Sequence, residues 1–232
     1  MSKGGNDLEN KAILEHLHPT MIPSLARVPR HVPCVLLTRH SIREQPKNRF
    51  AGYDIPLTEE GVELAREWGR NLDRPISALF SSPVGRCIKT AEAMAQGAGV
   101  ELPILTHGSL VEPGSYVKDL PVAGPYFMKL GPLAFARKHL RNEVRGVLSP
   151  KEGALQLIEH MKGGLQQPGS FSVHVTHDTI LASFIYFLRS ESEIEEPHWP
   201  WMMEGAFLWF DCDILHWLWR GETGSLHLDQ LA

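Results

Sequence analysis

Three short apolar segments, each ending in polar residues, constrain the fold of this chain most. They cover residues 34–38, Ile76–Ser81 and Phe171–Thr176, and their length and composition are typical of fully buried strands. Helical patterns accompany them at 58–72, 82–96, 151–162 and 179–189. This alternation predicts an α/β fold, a three-layer sandwich with a mostly parallel central sheet and helices on both faces.

Two of the predicted helices carry recognisable start signals. Thr58 is a suitable N-cap for the first, because its side chain can accept a hydrogen bond from the helix start. Ser82 is predicted to cap the second, with Pro83 at the first helical position. We expect that helix to run to about Gln96 and to end at Gly97.

The rest of the chain completes the predicted domain organisation. We expect a short helix at 8–18 and an irregular, proline-rich segment at 19–33, so that residues 1–33 form an N-terminal extension of a domain at 34–232. The region at about 113–150 combines glycine and proline residues with a basic helical stretch, which predicts a cap-like insertion. In the last segments, apolar and polar residues alternate enough to predict a terminal hairpin, with strands Ala206–Asp211 and Ile214–Arg220.

Composition argues against several functional classes. The 232 residues are 43% hydrophobic with a formal net charge of −4, so nothing global indicates binding to nucleic acid or to an anionic membrane. The three cysteines are far apart and lack zinc-type spacing, which favours free thiols over a disulfide framework. The N-terminus has no apolar signal core, and no segment is long and apolar enough to cross a bilayer. We therefore expect a soluble, cytoplasmic protein.

Polar residues follow each predicted strand where the strand ends. They are Thr38-Arg39-His40, Ser81-Ser82 leading to Arg86, and Thr176-His177-Asp178. Because ligand sites in such sheets form beyond the carboxyl ends of the strands, we expect three arginines and two histidines to converge there: Arg39, Arg43, Arg86, His40 and His177. Guanidinium groups match phosphate in charge and geometry, so the cluster predicts a phosphoryl ligand.

A histidine inside a phosphate pocket also indicates a reaction. Neutral imidazole can attack phosphorus, and the leaving alkoxide then needs a proton from a general acid. Glu112 and Asp178 are both candidates for that acid. His174 lies three residues before His177, but the two point to opposite faces of a strand, so we expect no metal site there.

Five segments, in the same chain order, resemble the motifs of the histidine phosphatase superfamily, which has the phosphoglycerate-mutase-like fold. Arg39-His40-Ser41 resembles the family's Arg-His-Gly, with serine in place of the usual glycine. The others are NRFAGYDIPLTEEG (48–61), SSPVGRCIKTAE (81–92), Glu112 and THDTIL (176–181).

The resemblance implies a role for each residue of the cluster. His40 would be the nucleophile, Arg39 and Arg86 phosphate ligands, and His177 a stabiliser of the transferring group. Glu112 would act first as general acid and then as base toward water, with no metal and no cofactor. Arg43 resembles an extra arginine of the acid-phosphatase branch, in which the aspartate after the second histidine donates the proton. Asp178 therefore remains a rival to Glu112, and both Arg43 and Asp178 are counted among the substrate-binding residues.

The predicted function is a metal-independent phosphomonoesterase that works through a phosphohistidine. Two alternatives stay open: phosphoryl transfer of the phosphoglycerate-mutase type, and a weakly active phospho-ligand-binding protein. The run Glu112-Pro113-Gly114-Ser115 lacks the arginine that mutases carry beside the donor, which favours hydrolysis. Ser41 is compatible with simple tolerance, with an added hydrogen bond or with reduced activity.

The substrate class stays open as well. A phosphorylated small molecule and a phosphoprotein are both compatible with the predicted site. Basic residues at 113–150 would favour a second negative charge, whereas Phe50, Tyr53 and Tyr116 would favour a ring. The proline-rich segment with Trp199 and Trp201 is a further candidate lining, and homo-oligomer formation through the tryptophan-rich terminal hairpin is left open.

Overall fold

One seven-stranded sheet organises the part of the chain that the computed structural model describes, namely residues 12–45, 52, 54–112, 114–165 and 167–231. The strands are β1 (Cys34–Arg39), β2 (Ala78–Ser81), β3 (Ile104–Thr106), β4 (Phe171–Thr176), β5 (Gly205–Asp211), β6 (Ile214–Trp219) and β7 (Glu222–His227). Their order across the sheet is β3-β2-β4-β1-β5-β6-β7.

The strand directions bring the predicted site together. β1 to β4 pair in parallel, whereas β5, β6 and β7 add an antiparallel half. In register, Arg39 of β1 faces Thr176 of β4, and Ser81 of β2 faces Val175. The carboxyl ends of these three strands therefore lie at one edge of the sheet, as the sequence predicts.

Helices cover both faces of the sheet. They are α1 (Met21–Leu25), α2 (Glu59–Asn71), α3 (Gly85–Ala98), α4 (Leu120–Leu130), α5 (Pro132–Leu140), α6 (Pro150–Gly163) and α7 (Asp178–Leu188). The side chains of β1 alternate between the faces. Leu36 joins one core with Trp68 of α2, and Leu37 joins another core with Ile180 of α7. The predicted three-layer α/β architecture is confirmed.

Two glycines let the helices α2 and α3 approach closely. A Cβ atom on Gly97 would lie 1.8 Å from the carbonyl oxygen of Arg66, and one on Gly69 would lie 2.1 Å from that of Met94. Side chains at either position would therefore force the two backbones apart. The close contact fixes α3, the helix that carries Arg86, against α2.

The predicted ends of α3 are wrong. The helix begins at Gly85, with Val84 rather than Ser82 as its N-cap, and it continues past Gly97 to Ala98. The Ser82 hydroxyl accepts from Val84 N at 3.3 Å, just before the helix, and lies 3.0 Å from His177 Nε2. Gly99, in the left-handed conformation at φ 67°, ends the helix instead. By contrast, Thr58 caps α2 as predicted and accepts from Gly61 N at 2.9 Å.

The N-terminal prediction is partly confirmed. Residues 8–11 lie outside the described residues, and the rest of the predicted helix at 8–18 is helical at 12–13 and then forms a 3₁₀ turn, Leu14–His16. The segment 19–33 was expected to be irregular, but it contains α1. Pro23 is tolerated there because it stands in the first turn, where the backbone N–H has no intrahelical partner.

The sheet ends in two strands, β3 and β7, that have no counterpart among the five strands given bounds from the sequence. The terminal hairpin is confirmed as β5 and β6, and β7 adds an unpredicted third strand. β7 has exposed side chains at four of its six positions, and β3 at the opposite edge has only three residues. Region 113–150 contains α4 and α5; its role as a cap, like the domain boundaries, stays a prediction. Among the described residues, no helix is long and apolar enough to cross a membrane.

Candidate active site

The end of β1 is held rigidly on both sides. His40 follows the strand directly and is 2% exposed. Its backbone N–H donates to Thr176 O at 2.9 Å, and its carbonyl accepts from Met203 N at 3.2 Å. Side chains that leave the backbone at this point therefore start from fixed positions.

The hydrogen bonds of His40 define which ring nitrogen is available for chemistry. Nδ1 lies 2.8 Å from the carbonyl oxygen of Ser41, which can only accept, so Nδ1 carries the proton. Nε2 accepts from Arg86 Nε at 3.0 Å and is therefore the unprotonated nitrogen, whose lone pair this hydrogen bond engages. Burial, followed by the charges of Arg39, His177 and Arg86, lowers the pKa of His40 well below 6.5. The ring is a neutral imidazole whose unprotonated nitrogen faces a guanidinium.

Arg86 also contacts the second histidine. Its Nη2 lies 3.3 Å from His177 Nδ1, which must accept, so the ring proton is on Nε2 and donates to Ser82 Oγ at 3.0 Å. Burial, then Arg86, lowers the pKa of His177 to about 3. The two imidazole rings are 5.6 Å apart at their centroids. One guanidinium therefore bridges two neutral imidazoles.

Arg39 is oriented by protein acceptors. Its Nη2 pairs with Asp178 Oδ2 at 2.7 Å, and its Nη1 donates to Pro200 O at 2.6 Å. Its Nε is buried and has no acceptor among the described residues. A buried donor without an acceptor needs an explanation, and an anion at this position would supply one.

The two candidate acids have opposite electrostatics. Glu112 is 8% exposed, and burial, then the charge of Asp178, raises its pKa to about 8. Burial opposes ionisation of Asp178 too, but Arg39, His40 and a hydrogen bond from Trp199 Nε1 hold the pKa of that carboxyl well below its usual value. At neutral pH Glu112 therefore carries a proton and Asp178 does not.

Arg43 lies at the margin of the cluster. It forms an isolated bridge with Leu57, and its Nη1 donates to Glu44 O at 3.3 Å. Burial, then the charges of Arg86 and Arg39, lowers the pKa of Arg43. No hydrogen bond joins it to either imidazole within the described part of the chain.

Ser41 is fitted into the site by hydrogen bonds. Its Oγ donates to Gly61 O at 2.6 Å, and its backbone N–H donates to Thr90 Oγ1 at 3.1 Å. Gly61 lets the chain come this close, because a Cβ there would lie 2.0 Å from Ile42 O. The serine thus connects the loop after β1 to helix α2 through an added hydrogen bond, one of the three possibilities that the sequence left open.

We expect Ser41→Ala to destabilise the fold by about 1 to 2 kcal/mol, because a fully buried hydroxyl then no longer donates to Gly61 O. The free energy of unfolding in urea measures the effect. Ser225→Ala, on the exposed side of β7, is the matched control and should change it by less than about 0.5 kcal/mol. Equal effects of the two changes would contradict a stabilising role for the hydrogen bond between Ser41 and Gly61.

Other predicted residues lie away from the cluster. His174 contacts Ser172 and His160 and stacks on Phe80, so it does not share a site with His177. Among the described residues, no group of three or more His, Cys, Asp or Glu side chains is arranged to hold a metal ion. Tyr116 is 2% exposed and packs on His139, so its predicted stacking on a substrate is wrong. Phe50, Tyr53 and Pro113 lie outside the described residues.

Four residues have contacts at the site that the sequence did not predict. Ser82 was assigned to a helix cap, whereas Trp199 was only a candidate pocket lining. Pro200 and Glu204 carried no signal, because a backbone carbonyl or a lone glutamate does not form a motif. Their contacts depend on the return of the chain between α7 and β5.

Comparisons with known proteins show which chains this one is similar to. Residues 35–114 match the model of the histidine phosphatase superfamily (branch 1). The chain is 36% identical over 91 residues to 2,3-bisphosphoglycerate-dependent phosphoglycerate mutase 1 of Arabidopsis thaliana; this is 37% of the chain and only 27% of that relative.

Two solved structures share the fold. YhfR of Bacillus stearothermophilus has a TM-score of 0.59 at 20% identity, over 82% of this chain and 98% of that one. A mutant phosphoserine phosphatase of Entamoeba histolytica, in complex with phosphoserine, has a TM-score of 0.51 at 18% identity. The match covers 83% of this chain and 94% of that one.

Proposed function

The chain belongs to the histidine phosphatase superfamily, and from this premise we propose that it hydrolyses a phosphate monoester through a phosphohistidine at His40. The observation that carries the proposal is the orientation of His40. Its Nδ1 proton is tied to Ser41 O, so the lone pair on Nε2 points into a pocket lined by guanidinium groups. A neutral nucleophile and fixed positive charge are the two requirements of phosphoryl transfer to nitrogen.

The proposed reaction has two steps. The phosphate oxygens accept from Arg39 Nε and from Arg86, which gives up its contact with His40 Nε2. The Nε2 lone pair attacks phosphorus, the P–O bond to the leaving group breaks, and Glu112 gives that oxygen its proton. Water then attacks the phosphohistidine, Glu112 takes a proton from the water, and the P–N bond breaks to release inorganic phosphate. His177 stabilises the phosphoryl group in both steps.

Glu112 is preferred to Asp178 as the acid because of their charge states. A general acid must hold its proton at the working pH, and the raised pKa of Glu112, about 8, meets this condition. Asp178 instead serves as the ionised partner of Arg39. We propose that it orders the phosphate-binding guanidinium rather than protonating the leaving group.

The alternatives are less well supported. A mutase must hold a second anionic group, and the described residues beside Glu112, Gly114 and Ser115, have no basic side chain. A binding protein without turnover was motivated only by Ser41, whose hydrogen bond to Gly61 accounts for its presence. The proposed substrate is a phosphorylated small molecule or a phosphoprotein in the cytoplasm; the net charge of −4 does not favour nucleic acid or an anionic membrane.

The test is hydrolysis of nitrophenyl phosphate in the presence of a metal chelator, with rapid quenching to trap the enzyme. We expect turnover that survives chelation and a phosphoenzyme that is stable in alkali but labile in acid, as a phosphoramidate is. Loss of turnover on chelation would contradict metal independence. Binding of inorganic phosphate without any turnover, by protein with native circular dichroism, would instead favour the binding function.

A further inference from the structure

The loop formed by residues 199–204 holds the guanidinium of Arg39 in place. Pro200 O accepts from Arg39 Nη1 at 2.6 Å. Trp199 Nε1 donates to Asp178 Oδ2 at 3.2 Å, and the same oxygen pairs with Arg39 Nη2 at 2.7 Å. Both acceptors of Arg39 therefore depend on this loop. Pro200 belongs to the loop, and Asp178 is held by the hydrogen bond from Trp199.

An ion pair outside the phosphate pocket closes the 199–204 loop. Arg220, just after β6, donates from Nε to Glu204 Oε1 at 2.6 Å and from Nη2 to Oε2 at 2.9 Å. Its Nη2 also donates to Trp199 O at 3.2 Å, and Glu204 Oε2 accepts from Trp201 N at 2.7 Å. The pair thus binds the first and last residues of the loop to each other.

The burial of this pair is unusual for a purely stabilising contact. The Glu204 side chain is 1% exposed and that of Arg220 16%. Taking two charges out of water offsets much of their attraction, so the burial of this pair is weak evidence that it stabilises the fold. The two parallel hydrogen bonds do fix the guanidinium of Arg220 relative to the carboxylate of Glu204. The geometry imposed here continues into β1, because Arg39 N donates to Glu204 O at 2.9 Å.

We propose that Glu204 and Arg220 are positioning residues for phosphate binding, which act on Arg39 through the 199–204 loop. This inference rests on the proposed function, since it assigns to Arg39 a phosphate ligand. Arg220 touches neither imidazole among the described contacts; its effect passes through Trp199, Pro200 and Asp178. Displacing the guanidinium of Arg39 by about 1 Å would be enough to lower the rate about 10- to 100-fold.

The experiment compares Arg220→Lys with Arg74→Lys. Lysine keeps the charge but cannot reproduce the two-pronged contact with Glu204. Arg74 is a matched control, because its side chain is 8% exposed and it too holds a loop through carbonyl oxygens, those of Leu25, Val28 and Pro29. It packs on Phe171, at the end of β4 opposite to the site.

For Arg220→Lys we expect kcat/KM for nitrophenyl phosphate to fall about 10- to 100-fold, and the Kd of inorganic phosphate, measured by calorimetry, to rise about 10-fold. Arg74→Lys should lower Tm comparably and change both constants by less than about twofold. If Arg220→Lys is unfolded at the assay temperature, Trp199→Phe replaces it. This change removes the donor to Asp178 and keeps an aromatic side chain, although a smaller one, and it should shift both constants in the same direction.

The outcomes separate the two proposals. Native activity with unchanged constants in Arg220→Lys, or equal losses in the Arg74 control, would overturn the positioning role and leave the proposed function intact. A native protein that neither turns over nitrophenyl phosphate nor binds phosphate would overturn both. Weakened phosphate binding in Arg220→Lys and in Trp199→Phe, but not in Arg74→Lys, would establish the role.

Discussion

His40→Ala should reduce hydrolysis of nitrophenyl phosphate by at least about 10⁴-fold, the largest loss that we expect from any single substitution. The covalent step needs a nitrogen lone pair at the phosphorus atom, and the proposed source is Nε2 of His40, the unprotonated ring nitrogen that faces Arg86 Nε. The quenched enzyme should contain no phosphohistidine. The measurement is steady-state turnover with chelator present, together with labelling of the quenched protein.

The control for this prediction is His216→Ala. His216 lies on β6, two strands from β1, and stacks on Trp209 at 5.4 Å. Its loss should leave turnover and phosphoenzyme formation unchanged. A His40→Ala variant that still accumulated phosphohistidine would place the nucleophile on another ring, with His177 the next to test.

Glu112→Gln should lower the hydrolysis of an alkyl phosphate by about 10²- to 10⁴-fold, because the leaving alkoxide then receives no proton. The loss should be smaller for nitrophenyl phosphate, whose leaving group is stable as an anion. In the native protein, kcat/KM should fall as pH rises through about 8, the pKa to which burial and Asp178 raise Glu112, since the acid form disappears there. This alkaline limb should be absent from the variant.

Asp178→Asn separates the two candidate acids. Its carboxylate pairs with Arg39 and accepts from Trp199, so its loss should weaken phosphate binding. The alkaline limb of kcat/KM should remain but move to lower pH, because the charge of Asp178 no longer raises the pKa of Glu112. A limb that vanished in Asp178→Asn and persisted in Glu112→Gln would reverse the assignment. Both variants keep side-chain volume nearly constant, so packing changes are not expected to confuse the comparison.

The parts of the fold that local sequence specifies were predicted well. The strand Phe171–Thr176 is confirmed at both ends, because it is fully buried and is bounded by Gly169 on one side and by the start of α7 on the other. The cap at Thr58 is also confirmed, since its hydroxyl needs only a donor three residues away. Arg39, His40, Arg86 and His177 meet at one edge because parallel pairing requires it.

Contacts between distant segments could not be predicted. Serine is a residue type that often caps helices, yet the hydroxyl of Ser82 lies against His177, which is 95 residues away in the chain. β7 contains a glycine and several polar residues, and its pairing depends on Trp217 of β6, whose ring lies directly over Gly224. The link between Glu204 and Arg220 likewise requires the loop and β6 to be placed first.

The two borders of the sheet have a consequence for solubility. Unpaired strand edges invite other chains to add to them, and long, flat, apolar edges are the most hazardous. Here one border is β3, which is only three residues long, and the other is β7, which displays Glu222, Thr223, Ser225 and His227 to solvent. Neither border offers a partner strand a continuous apolar template, so the antiparallel extension after the site ends the sheet in a form that resists aggregation.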